Sequence, residues 1–415
     1  MRIAFYSPFA RVSSPSPSGD RTQARALIAA LRALGHDVEV ISDYHARSFW
    51  LRSRRLKQLP SSLWAAHSRV RAFRPDAWLT FVSQWDAPDV LGPIVTAERD
   101  IPYVIYKAPF KNGTIYADLR RNQGALRHVW AGLPGWSLHT LALRRADSVV
   151  VNKLVDFEAY QQVPSVRGKL SLLWPAVPLG QFRPDVAGRA RVRRELGVDD
   201  DTALLLSVGR LSDAKGRKAE SLRFLIDAVA DLLERGRQTK VVIAGEGDTR
   251  AELEAYAAKL GAAARFVGQV DYDDLPAWYG AADLFVYPGL REHIGLVYLE
   301  AQACGVPVVA FANGGIPAVV KDGETGFLVP PMDQQAFVDR LDRLVGDAEL
   351  RRRLGANARL HVEQHHDSEA WAKTLADLLS EGAQRPARGQ AGSEGSPTRR
   401  ATLSNSSRGS NGLVT

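Results

Sequence analysis

Cysteine is almost missing from this chain: Cys304 is the single one among 415 residues. That excludes a disulfide framework and a cysteine-based zinc site. Cys304 itself lies in the apolar run "EAQACGVPVV" and reads as a small buried side chain. Long apolar runs are missing too, and no stretch approaches the length needed to span a bilayer. The opening "MRIAFYSPF" lacks the charged-then-apolar layout of a signal peptide and reads as a buried first strand, so a cytoplasmic protein is expected. Acidic residues are absent from one long segment. Between Tyr44 and Pro75 there is none, while Arg47, Arg52, Arg54, Arg55, Lys57, Arg69, Arg71 and Arg74 are present. That segment alone carries as much charge as the whole chain's formal +8. From Ala383 onward five arginines face Glu394 alone, so the remainder is net negative. Charge gathered in patches faces partners.

What is present is an ordinary globular composition, 45% apolar and 24% charged, in a chain long enough for two domains with full cores. Short β-branched runs alternate with amphipathic helical patterns, the sequence form of an α/β protein with parallel sheets covered on both faces. In the first half, Arg2–Ser7, Asp37–Ser42, Ala77–Val82, Tyr103–Tyr106 and Ser148–Val151 read as strands, and Arg21–Gly35 as a helix. Ile115–Arg145 reads as mostly helical, broken near "GLPG". A second set of strands is expected at Thr202–Arg210, Lys240–Gly245, Ala264–Gly268, Leu284–Pro288 and Val306–Phe311, with helices near Glu220–Glu234 and Arg250–Leu260. The stretch "WPAVPLGQFRPD" (Trp174–Asp185) reads as the connection between the two sets. The expected division is a first Rossmann-like domain over 1–180, a second over 181–365, a last helix over 366–383 and a disordered tail over 384–415. Two doubly wound domains would place a ligand cleft between the carboxyl ends of their strands.

Three stretches of the second half can carry chemistry. "SVGRLSDAKGRK" puts Arg210 just past a strand end and Lys215 in the following loop, where two cations could clamp a diphosphate or simply be solvated. "IAGEGDTR" offers Gly245 and Gly247 in a turn between strand and helix, either for close backbone approach to a ligand or as ordinary turn glycines. "LFVYPGLREHIGLVYLEAQACG" reads as strand, loop and helix, with Gly295 at about the helix start. The free amides of that terminus would attract phosphate or a developing leaving-group charge. Glu292 lies in the loop before it and Glu300 inside the helix, roughly 8 Å further along. That separation suits one carboxylate at a sugar and the other at the ribose of the same nucleotide; the alternative is a solvated pair on a helix.

Taken together, "GRLSDAKG", "AGEGDTRAELE", "FVGQV" and "YPGLREHIGLVYLEAQACGVPVVAFANGGIPAVVKDGETGFLVPPMD" resemble the donor-binding domain of retaining GT-B glycosyltransferases of family 4 (glycosyl transferases group 1). The resemblance is strong from about Leu204 to Asp333 and looser toward the first strand, glycine loop and first helix. It implies a GT-B fold, two Rossmann-like doubly wound domains facing a deep cleft. It implies that Arg210 and Lys215 hold the donor diphosphate, that Glu292 contacts the transferred sugar and that Glu300 binds the ribose. His293, Ile294, Gly295 and Leu296 match the loop whose amides approach phosphate and sugar, with Ile294 where phenylalanine is usual. Val267–Val270, including Gly268 and Val270, match the place of the base, and Gly19 in "PSPSGDRTQ" matches the glycine loop of the first domain. Where many relatives have a histidine after the fourth strand, this chain reads "YKAPFKNG". Lys107 either donates hydrogen bonds in that place or is a solvated loop lysine.

The function so implied is transfer of a sugar from a UDP- or GDP-sugar to a glycan or lipid-linked acceptor in surface polysaccharide or glycolipid synthesis. The nucleotide sugar is a substrate, no cofactor is expected, and Arg210, Lys215 and the helix terminus replace a metal at the leaving group. "VDDDT" and "DYDDLP" read as a domain-entry turn and a helix cap, not as an Asp-x-Asp metal site. Retention, with no carboxylate placed as covalent nucleophile, points to same-face attack assisted by the departing phosphate. Two other functions stand beside it: a sugar-nucleotide epimerase or hydrolase on the same fold, and a non-catalytic membrane-associated scaffold. The basic segment "RSFWLRSRRLKQLPSSLWAAHSRVRAF" (Arg47–Phe73) interleaves aromatic and aliphatic residues with cations. Docking on an anionic membrane is expected, against the alternative of a helix packed on its own domain; nucleic acid is not expected.

Overall fold

A computed structural model describes residues 1–15, 19–110, 125–212, 217–290, 292 and 295–383. The tail expected to be disordered lies outside these residues, as does the first part of the helical stretch expected from Ile115. The chain forms two compact units, one made of Met1–Leu173 with the chain from Lys373 onward, the other of Trp174–Ala372.

The sheet of the first unit is built from β1 (Arg2–Tyr6), β2 (Asp37–Ser42), β3 (Ala77–Phe81), β4 (Tyr103–Tyr106), β5 (Ser148–Val151) and β6 (Leu170–Leu172). They run parallel in the order β2-β1-β3-β4-β5-β6. The helices are α1 (Gly19–Ala33), α2 (Ser53–Phe73), α3 (Gly92–Arg99), α4 (Ala125–Arg145), α5 (Leu154–Gln161) and α6 (Pro164–Arg167). Strands buried on both faces are written as unbroken apolar runs, and every residue of β3, β4 and β5 is buried. α1 buries Gln23, Ala24, Leu27, Ile28 and Leu31, a stripe at three- and four-residue spacing. The break expected near "GLPG" is not there: α4 runs through Pro134. Proline removes one helical hydrogen bond, but packing holds this segment, since Gly135 is pressed against the Trp85 carbonyl and the Trp50 ring.

In the second unit, β7 (Ala203–Val208), β8 (Thr239–Ala244), β9 (Ala264–Gly268), β10 (Leu284–Val286), β11 (Val308–Phe311) and β12 (Gly326–Val329) lie parallel in the order β12-β11-β10-β7-β8-β9. Its helices are α7 (Val186–Leu196), α8 (Arg217–Glu234), α9 (Arg250–Ala257), α10 (Leu275–Ala281), α11 (Leu296–Ala303), α12 (Ile316–Val319), α13 (Gln334–Gly346) and α14 (Ala348–His365); α15 (Ser368–Ala383) begins here, and its residues from Lys373 group with the first unit. The stretch Trp174–Asp185 is packed into this unit rather than left as a bare connector. Val177 N–H donates to His366 O at 2.9 Å, Phe182 is fully buried, and Asp185 caps α7 by accepting from Gly188 N–H.

One buried ion group ties α7 to the sheet. Asp283 accepts from Arg189 and Arg193 at 2.9 Å each and from Leu204 N–H at 2.8 Å. Burial pushes its carboxyl up, but these hydrogen bonds and the two guanidinium charges prevail and hold it below the usual range.

Candidate active site

The sheet of the second unit reverses its winding between β7 and β10: β8 and β9 follow β7 to one side, β11 and β12 follow β10 to the other. At such a switch point the loops leaving the carboxyl ends part and open a crevice for a ligand. The two strands are paired neighbours, Leu284 beside Leu205 and Phe285 beside Leu206. Arg210 leaves β7 and Glu292 leaves β10, so the sheet brings these two expected residues to the same edge. Arg210 is exposed there, and a small pocket opens beside it, lined by Ser207, Gly209, Arg210, Leu211, Lys218 and Tyr287. Lys215, His293 and Ile294 lie outside the described residues.

Glu292 is half-buried and its backbone is clamped. Its N–H donates to Gly289 O at 3.0 Å, and its carbonyl accepts from Gly315 N–H at 3.3 Å. A methyl group on Gly314, at φ +59°, would strike that carbonyl, so the turn after β11 fits closely against Glu292. Asn313 Nδ2 adds a bond to Gly289 O at 3.3 Å, and Leu290 N–H donates to Ser221 Oγ at 3.0 Å. The Asn-Gly-Gly turn signal is present in "FANGGIP", but only the fold shows what it holds.

Gly295 caps α11 at φ +64°, where a side chain would also meet the Tyr298 ring. Leu296 opens the helix, half-buried, and in its first turn the Tyr298 N–H donates to Gly295 O at 3.1 Å. Glu300 does not stand on a solvated face. It is 6% exposed and accepts from Tyr279 Oη at 2.8 Å. Burial lifts its carboxyl to about 7, the Tyr279 hydrogen bond pulling the other way. Tyr279 lies 21 residues upstream on α10, and no spacing in the sequence announces the pair.

Gly245 serves the chain's own packing: a methyl there would hit the Gly209 carbonyl, and its N–H donates to Gly268 O at 2.7 Å. The loops after β7, β8 and β9 are thereby tied together. Gly268 is buried and Val270 half-buried against the core.

In the first unit, Gly19 is exposed at the start of α1. Lys107 is not a solvated loop lysine. It sits at φ +64° at the end of β4, its ammonium 2.5 Å from Asp20 Oδ1 and 3.2 Å from Gln23 Oε1, both on the first turns of α1. The basic segment folds as a short 3₁₀ turn, Phe49–Leu51, followed by α2. Phe49, Ala66 and Val70 are buried, while Leu51, Leu56 and Trp64 are 62%, 48% and 73% exposed. Arg52, Arg54, Lys57 and Arg71 are exposed beside them. No helix among the described residues is long and apolar enough to cross a membrane.

Residues 188–361 match the family model of the glycosyl transferases group 1. D-inositol 3-phosphate glycosyltransferase of Streptomyces bingchenggensis is 38% identical over 223 residues, 51% of this chain and 48% of that one. The enzyme of the same name from Frankia alni is 39% identical over 201 residues, 46% and 48% of the two chains. The chain thus spans about half the length of the curated relatives it matches. Among solved structures, sucrose-phosphate synthase of Thermosynechococcus elongatus aligns over 92% of this chain and 98% of its own, with a TM-score of 0.67 at 24% identity. HepE of Anabaena in complex with UDP aligns over 92% and 100%, with a TM-score of 0.69 at 22% identity. Those likenesses establish the two-unit GT-B fold, and the stretch similar to the glycosyl transferases group 1 lies within its second unit.

Proposed function

We propose that the chain is a retaining glycosyltransferase that moves a sugar from a nucleoside diphosphate sugar, UDP- or GDP-linked, to a glycan or lipid-linked acceptor. The observation that carries this reading is the placement of Arg210 and Glu292 on either side of the switch point in the second sheet. Arg210 with Lys215 would hold the diphosphate and meet the charge of the departing group, helped by the amides at the start of α11. No metal is needed for that step. Glu292 would contact the transferred sugar, with same-face attack by the acceptor as the phosphate departs. Glu300, deeper on α11, would accept hydrogen bonds from the ribose. HepE, similar in fold, was solved with UDP and with UDP-glucose, which favours a uridine donor.

Transfer from a panel of UDP- and GDP-sugars, followed by the anomeric configuration of the product, tests the reading. Glu292→Ala should abolish most transfer and leave the fold intact; wild-type rates in that variant would end the assignment. Release of free sugar with no acceptor product in any combination would favour a hydrolase.

A second feature bears on the acceptor. Exposed Leu51, Leu56 and Trp64 amid exposed cations suit an anionic membrane surface, where each cation contributes about 1 kcal/mol. Such docking would bring a lipid-linked acceptor to the enzyme. Trp64→Glu should weaken binding to vesicles rich in phosphatidylglycerol, and raised salt should release the wild type. Failure to bind such vesicles at low salt would remove the membrane from the account.

A further inference from the structure

The hydrogen bond between Tyr279 and Glu300 joins two side chains that hydrophobic packing alone would not have placed together. Tyr279 is fully buried, its ring edge-on to Phe182 at 6.1 Å and tilted against Phe285 at 5.6 Å. The ring therefore has little freedom, and its hydroxyl has a fixed direction. Glu300 is nine-tenths buried or more and sits on the face of α11 turned to the core. Three ionisable side chains sense its charge. Tyr279 and Tyr272 come from α10 and the loop before it, and Cys304 from the end of α11 itself. Arg359 of α14 and Asp185 at the cap of α7 act on the Cys304 thiol. The Arg359 guanidinium is taken up by Phe182 O, Ala303 O and Glu363, at 2.8, 2.7 and 2.6 Å. The hydrogen bond that steadies the Glu300 carboxylate is thus the one from Tyr279.

We propose that Tyr279 is a positioning residue of the donor site: its hydroxyl anchors Glu300 Oε2 and leaves Oε1 to accept the ribose hydroxyls. This rests on the reading that Glu300 meets the ribose. An ionised carboxylate accepts from a vicinal diol more strongly than the protonated group, and burial opposes that ionisation while Tyr279 favours it. Donor affinity should therefore rise with pH through neutrality, with Tyr279 setting where the rise falls. A tyrosine that merely fills space would leave that position unchanged.

The test is calorimetric titration of the whole chain with UDP, GDP and their 2′,3′-dideoxy analogues from pH 5.5 to 9. Wild type should bind one of the two ribonucleotides more tightly as pH rises, with a midpoint near 7. The dideoxy analogue should show no such step. Tyr279→Phe removes one hydrogen bond to the charged form and should move the midpoint up by about one pH unit. Near pH 7 that is roughly fivefold weaker binding, recovering toward wild type by pH 9. Glu300→Gln keeps an acceptor for Tyr279 and should flatten the profile, and it serves if Tyr279→Phe does not fold. An unchanged midpoint in Tyr279→Phe, or a surviving step in Glu300→Gln, overturns the proposal while leaving the donor site standing. Failure of wild type to bind either ribonucleotide overturns the donor site and the proposal with it.

Discussion

Replacing Glu300 by glutamine should make the protein more stable, and by an amount that depends on pH. The carboxyl is lifted from its usual 4.5 to about 7 in the fold. Between those values the folded chain holds a proton that the unfolded chain has lost. Stability contributed by this residue is therefore intact below about 4.5, falls as pH rises toward 7, and stays reduced above it. A tenfold change in proton affinity is worth about 1.4 kcal/mol, so the ionised carboxylate costs the fold about 3 kcal/mol at pH 8. Glutamine keeps the shape and the acceptor for Tyr279 without the charge. Urea unfolding of wild type and Glu300→Gln at pH 5, 6, 7 and 8 should give a difference that starts small and grows to about 3 kcal/mol in favour of the variant. A constant difference across that range, or a variant less stable at pH 8, would refute the reasoning about this buried carboxyl. The gain in stability with a loss of nucleotide binding would mark Glu300 as a residue kept for function at the expense of the fold.

Two other residues lend themselves to the same treatment. Asp283→Asn should destabilise the second unit by about 3–5 kcal/mol, since it leaves Arg193 buried without its partner. The Asp283 carboxyl is held below its usual range, so its contribution is present above that range and lost only in acid; urea midpoints from pH 7 to pH 3 check this. Gly314→Ala would push a methyl into the Glu292 carbonyl at a positive φ, costing about 1–2 kcal/mol. Donor affinity should fall at least as clearly as stability, and unchanged affinity would separate Glu292 from the sugar.

Much of the fold is legible in the sequence because a parallel sheet buried on both faces writes its strands as continuous apolar runs. Asp37–Ser42, Tyr103–Tyr106, Ser148–Val151 and Ala264–Gly268 coincide with their strands to the residue. Leu170–Leu172 and Gly326–Val329 escape such a reading, as both are short strands at the sheet edges, followed by proline-rich turns. The arginine-rich α7 escapes it for a different reason: its arginines pair with Asp283, 90 and 94 residues away. Of the candidate site, Arg210, Glu292, Gly295 and Glu300 can be named from local pattern, and the segments that carry them follow the two paired strands β7 and β10. The clamp on Glu292 by Gly314 and Gly315 and the bond from Tyr279 to Glu300 are tertiary contacts between separate segments. No periodicity encodes them.

The central claim is that the second unit holds a nucleoside diphosphate sugar beside Arg210 and Glu292. Calorimetric titration with a panel of UDP- and GDP-sugars tests it most directly. The account predicts a single saturable site per chain for one base, weakened at least tenfold in Arg210→Ala, where the diphosphate loses its clamp. Binding of no member of the panel, or equal affinity in wild type and Arg210→Ala, would contradict it.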